Sequence, residues 1–168
     1  LQADLVSHMD KMKTDNPLEY QRLIEMNSDM IRFNEQSQQQ RMFWAYNFTT
    51  QQHYTVTATL RRSGPMSNIW VDDASWASNY VTNTILDQLL DNLENVSGPT
   101  SLDPTKGIIE IDTTLFGQPP NIDGDGMVDF LILDIQDGFD PNVSGSSFIA
   151  GYFSPSDQQN LPISNQRD

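Results

Sequence analysis

Asn121-Ile122-Asp123-Gly124-Asp125-Gly126-Met127-Val128-Asp129 sets oxygen-bearing side chains at its first, third, fifth and ninth positions and a glycine at its sixth. Ca²⁺ takes about six to eight hard oxygen ligands, and a short Asp/Asn-rich loop supplies them from alternating positions. Gly126 permits the sharp turn that aims the Met127 carbonyl inward. The expected ligands are Asn121, Asp123, Asp125 and Asp129 by side chain and Met127 by its carbonyl. The competing reading is an Asx/Gly-rich turn without metal. Four matching positions at once favour the metal.

The segment departs from an EF-hand. The twelfth position, a bidentate Glu in that motif, is Ile132, and Pro119-Pro120 preclude a helix running into the loop. It resembles the calcium hairpins of integrin α-subunit propellers, D-x-D-x-D-G-x-x-D, which sit between two extended segments. It occurs once, and a propeller would repeat it. The apolar run 127–135 that follows reads as a strand, placed centrally with both faces covered.

Upstream, residues 108–116 read as a short helix closed by Gly117, and 97–106 as a Gly/Pro/Ser loop. Residues 79–93 read as a long amphipathic helix burying Val81, Ile85, Leu89, Leu90 and Leu93. Residues 42–48, 54–62 and 68–72 read as strands, the second alternating Tyr54, Val56, Ala58 and Leu60 with three threonines. Residues 3–34 read as two helices, the second opened by Asn16-Pro17 with Glu19 in its first turn. Residues 36–40 form a polar linker, so the expected division is a helical arm, 1–40, and a globular part, 41–168. Downstream, 138–147 reads as a loop, 148–153 as a strand, and 154–168 as a polar tail. Taken together the pattern is α+β: a mixed sheet, one long packed helix, a calcium hairpin and an N-terminal helical arm.

The chain has 168 residues and a net charge of −14, from 18 Asp, five Glu and nine Lys plus Arg. An Asp excess suits loops, caps and cation sites. No Lys or Arg lies between Lys106 and Arg167, which disfavours nucleic acid and anionic membranes as partners. The absence of cysteine excludes disulfides and thiolate zinc sites. No apolar run approaches the roughly 18 residues of a membrane span. A chain rich in Asn, Gln, Ser and Thr with a calcium loop suits the calcium-rich extracellular space. Its start at Leu1 suggests a processed form or a fragment.

Other residues carry weaker signals. Asp134, Asp137 and Asp140, helped by Asp72 and Asp73, form a second acidic group, read as a solvated loop before a second cation site. His53 reads as a surface turn residue and His8 as exposed. Trp44, Trp70 and Trp76 read as core aromatics. Ser75, Ser146 and Ser147 lack partners for a nucleophile, and Asn47, Asn95 and Asn142 head N-x-[ST] triplets that such a composition produces by chance.

Three segments carry a family resemblance: Phe43-Trp44-Ala45-Tyr46-Asn47-Phe48-Thr49 with 54–60; Leu115-Phe116-Gly117-Gln118-Pro119-Pro120 running into the calcium loop and 130–135; and Ala150-Gly151-Tyr152-Phe153-Ser154-Pro155 with 164–168. In this order they resemble the region upstream of the zinc helix in secreted bacterial zincin metallopeptidases of the hyicolysin and immune-inhibitor-A type, over roughly residues 41–168. Residues 1–40 resemble the propeptide-like leader that often precedes it. The resemblance implies that an H-E-x-x-H zinc motif lies beyond Asp168. The two histidines here form no such motif, so no catalytic residue is assigned and the chain is expected to be inactive alone. Zn²⁺ is implied only for a longer chain, with a peptide or protein substrate. The alternative is a non-enzymatic extracellular module that self-assembles on a peptidase-like scaffold.

Overall fold

The computed structural model describes residues 2–34, 39–159 and 161–166, with side chains in the first helix from residue 7 onward. The expected linker 36–40 falls largely outside these residues. The protein is α+β with a mixed four-stranded sheet in the order β1-β2-β3-β4. The strands are β1 (Gln40–Asn47), β2 (Gln52–Ser63), β3 (Ser67–Asp72) and β4 (Val128–Ile132). The helices are α1 (Gln2–Asp15), α2 (Pro17–Asn34), α3 (Asp73–Ala77), α4 (Asn83–Glu94) and α5 (Ile108–Phe116), followed by a 3₁₀ turn, Pro155–Gln158.

The chain forms two compact units. One holds the described residues of Leu1–Thr57 and Asp134–Gln166; the other is built on Ala58–Leu133. In the first, Asn16 caps α2 by accepting the Glu19 amide at 3.3 Å, as the Asn-Pro signal predicts. The apolar face of α2 buries Leu23 and Met30 in one core with Met9, Trp44 and Ile163, flanked by Met26 and Met42. Helices expected as an arm thus share their core with β1, because a stripe of Leu and Met gains about 25 cal/mol per Å² when it leaves water.

In the second unit, β2 and β3 pair antiparallel from Ala58↔Asp72 to Ser63↔Asn68, with a bulge between Leu60 and Arg62. β3 and β4 pair parallel from Ser67↔Val128 to Val71↔Ile132. The strand covered on both faces is β3, whose residues 67–71 are all buried, whereas every residue of β4 is half-buried and β4 ends the strand order. The expectation of a central strand over 127–135 is therefore corrected. Phe130 and Ile132 pack with Ile69, Val71, Leu86, Leu93 and Ile109, while Asp129, on the other face, needs polar partners.

Two further elements differ from expectation. The long helix begins at Asn83, not 79, because Asn79 adopts a left-handed φ of 61° and Thr82 is the N-cap, accepting from the Ile85 amide at 3.4 Å. Within it Leu86 and Leu93 are buried, Leu89 and Leu90 are partly buried, and Ile85 is exposed. No strand forms over 148–153: Phe148 and Phe153 are each 66% exposed, and the Ile149 amide is bonded to the Asp137 carboxylate at 2.6 Å instead of to a ladder. The helix expected over 108–116 is present and ends at Gly117.

Gly107, the N-cap of α5, lies against the last turn of α4. A Cβ there would meet the Leu93 carbonyl and the Glu94 backbone, and backbone cannot swing aside. Gly107→Ala is expected to destabilise the protein by about 1–3 kcal/mol, as overpacking does. A urea midpoint equal to wild type would show that α5 does not pack this closely.

Candidate metal centre

The loop between α5 and β4 is held by its own side chains. Asn121 Oδ1 accepts the Gly126 amide at 3.0 Å, Asp123 Oδ1 the Asp125 amide at 3.3 Å, and Asp125 Oδ1 the Met127 amide at 2.8 Å. Gly126 has φ of +73°, the left-handed turn that the sixth position requires. Residues 121–126 are exposed and Met127 is half-buried. Among the described residues, no three His, Cys, Asp or Glu side chains converge closely enough to hold a metal ion. The Asn121, Asp123 and Asp125 side chains are instead turned to backbone amides of their own loop.

Asp129 differs from the rest. It enters β4 beside β3, where its Oδ1 accepts from Asn68 Nδ2 and from Trp70 Nε1, each at 3.0 Å. Burial pushes its carboxyl up to about 6; the Trp70 and Asn68 hydrogen bonds oppose this, and the charges of Asp123 and Asp125 add to it. The three carboxylates therefore feel one another. A carboxylate has about four lone-pair sites, more than a single amide fills. The donor set fits Ca²⁺ and not the soft or imidazole-preferring metals. Asn68 and Trp70 were not expected at this site. Their alternation places them on one face of β3, but nothing local in the sequence shows that Asp129 lies opposite.

The second acidic group is occupied structurally. Asp137 accepts the amides of Phe139 and Ile149 at 2.9 and 2.6 Å, which hold its carboxyl below the usual range. Asp140 accepts from Asn142. Asp72 caps α3 through Ser75, and Asp73 accepts from Thr59 and pairs with Arg61. Each of these carboxylates thus serves a turn, a cap or an ion pair.

His53 is not a turn residue. It lies in β2, packs edge-on against Tyr46 with ring centroids 5.0 Å apart, and helps line a cavity with Trp44, Tyr46, Tyr152 and Asp157. Burial lowers its pKa, and the charge of His8 lowers it further, so the fold brings within electrostatic reach two histidines that the sequence holds 45 positions apart. Burial raises Asp157 in the same region. Trp44 and Trp70 are buried, as expected of core aromatics, while Trp76 lies under the Arg61 guanidinium at 4.2 Å. Ser75 Oγ donates to Asp72, which assigns it to a cap rather than to chemistry.

The chain is 29% identical over 128 residues to the neutral metalloprotease ShpI of Staphylococcus hyicus, a match taking in 76% of this chain and 25% of the relative. It is a metallopeptidase-related region. The chain spans about a quarter of that relative's length. No family model matches it. The chain has two histidines and no cysteine, and among the described residues there is no metal-binding group of three. Among the described residues no helix is long and apolar enough to cross a membrane.

Proposed function

We propose that this chain is the calcium-stabilised, non-catalytic N-terminal region of an extracellular zinc metallopeptidase of the hyicolysin and immune-inhibitor-A type. The observation that carries the reading is the 29% identity to a neutral metalloprotease over most of the chain. The zinc ligands would lie outside these residues, and the region would support the site and a bound peptide rather than cut it. An extended peptide can add to a sheet edge. Asn34 and Asn165 already bond the backbone groups of Met42 and Trp44 along β1, which favours β4 for that role. The calcium site would comprise Asn121, Asp123, Asp125, the Met127 carbonyl and Asp129. Calcium at extracellular concentrations saturates even weak sites, which supports an exported protein. Helices α1 and α2 share a core with β1, which supports a structural part for residues 1–40.

The test is the intact mass and C-terminal sequence of the native protein, with zinc analysis and a casein assay on that species. A chain continuing into an H-E-x-x-H helix, binding one zinc and cleaving casein, is expected, while the 168-residue chain is inert. A native protein ending near Asp168 would overturn the peptidase reading. The chain would then be a non-enzymatic extracellular module, whose self-assembly becomes the question.

A further inference from the structure

The chain has seven methionines and no cysteine. Five of the seven meet in one place: Met9 and Met30 are buried in the core of the first unit, and Met12, Met26 and Met42 pack half-buried against it. Three elements supply them. Met9 and Met12 stand three apart on α1, Met26 and Met30 four apart on α2, and Met42 lies in β1; helical neighbours at these spacings share a face. The sulfur of Met26 reaches the outer side of this core, because the exposed Arg22 guanidinium donates to it at 2.9 Å. Unbranched thioethers fill such a seam well, and their sulfur is open to two-electron oxidation. With no thiol in the chain, the thioethers are the sulfur that an oxidant meets.

We propose that Met12, Met26 and Met42 are a sulfoxidation site through which hydrogen peroxide loosens α1 and α2 from β1. A sulfur lone pair attacks one peroxide oxygen, the O–O bond breaks and an S–O bond forms. The sulfur is oxidised by two electrons; the proton on its new oxygen passes to the departing hydroxide, which leaves as water. The flexible apolar side chain becomes a polar, chiral sulfoxide. Its oxygen then lies at a seam built on Leu23, Trp44 and Ile163, where an acceptor without a donor is disfavoured. Scattered methionines would each weaken a different contact, whereas these three sulfoxides fall on one core shared by two helices and a strand. Met66 and Met127 serve as internal controls, since Met66 packs on the core of the second unit and Met127 is half-buried in the Asp-rich loop.

The test treats the full chain with hydrogen peroxide, maps sulfoxides by peptide mass and follows amide hydrogen exchange. Sulfoxide at Met12, Met26 and Met42 is expected to speed exchange across α1 and α2 by about tenfold or more, while α4 and α5 stay unchanged. Methionine sulfoxide reductases are expected to restore slow exchange, which irreversible damage would not allow. Met12→Leu with Met26→Leu and Met42→Leu keeps the side-chain volume and removes the sulfurs, so peroxide is expected to leave its helices slow. Oxidised wild type whose helices exchange as before overturns the proposal. So does equal acceleration in the Leu variant, or peroxide that oxidises Met127 and spares these three. If circular dichroism shows the triple variant unfolded, the single Leu variants are compared instead. Peroxide should accelerate their exchange less than that of wild type, and three values equal to wild type overturn the proposal.

Discussion

Calcium added to EGTA-treated protein is expected to stabilise it by about 2.7 kcal/mol when free calcium stands at a hundred times its Kd, and by about 4.1 at a thousand times. The physical reason lies in the loop's charges. Asp123 and Asp125 raise the Asp129 carboxyl by repulsion, so the folded chain holds these carboxylates together at a cost that a divalent cation would reverse. Asp123→Ala with Asp125→Ala is expected to make the calcium and EGTA melting curves coincide. It should also lower the EGTA curve slightly, because the Asp125 and Met127 amides lose their loop acceptors. A wild-type melting temperature indifferent to EGTA would mean that the segment is an Asx turn without metal.

Asp129 carries the second large effect, through pH. Its carboxyl, raised from 3.8 to about 6 chiefly by burial, is protonated more readily in the folded state than in the unfolded chain. In metal-free buffer its contribution to stability is fully present below about pH 4 and is lost as pH rises through 6. The full shift corresponds to about 3 kcal/mol at 1.36 kcal/mol per pH unit; solvent screening of a half-exposed group reduces this to about 1–2 kcal/mol. Asp129→Asn keeps an oxygen for Trp70 and Asn68 without the charge. Between pH 5 and 8 in EGTA, wild type is expected to lose about 0.5–1 kcal/mol relative to this variant, and identical slopes would refute the assignment. In saturating calcium the order reverses, because the Asn lacks the charged ligand. Asp129→Ala leaves two donors without an acceptor, at about 1–3 kcal/mol, and also forfeits the calcium gain.

Much of the fold is legible wherever one local signal suffices. Asn16-Pro17 marks the start of α2, the alternation from Tyr54 to Leu60 lies in β2, and Gly117 closes α5. What fails depends on partners distant in the chain. Ser67-Asn68-Ile69-Trp70-Val71 shows mixed polarity, yet it is the fully covered strand, because Asn68 and Trp70 find Asp129 some 60 residues away. The apolar run after the Asp-rich loop looks more central than it is, since of β4 Phe130 and Ile132 join the helix-covered core. The apolar residues of 148–153 suggest a strand, but the Asp137 carboxylate claims the Ile149 amide that a ladder would need. For the candidate site the spacing of Asn121, Asp123, Asp125 and Asp129 makes the loop a candidate. The support of Asp129 by β3 is not, because it depends on the parallel register of β3 with β4.

The interrupted path of the first unit bears on how the chain emerges from the ribosome. When residue 133 has been made, Ala58–Leu133 has every residue its own core requires. The unit that began earlier still lacks Ile163 for its core and Asn165 for Trp44, a partner 121 positions downstream. Synthesis proceeds at about 5–20 residues per second and domains fold as units, so residues 58–133 can close before the segments on either side of them meet. Until residues 134–166 arrive, β1 lacks partners for its outward groups, and that segment is the clasp that completes the unit begun first.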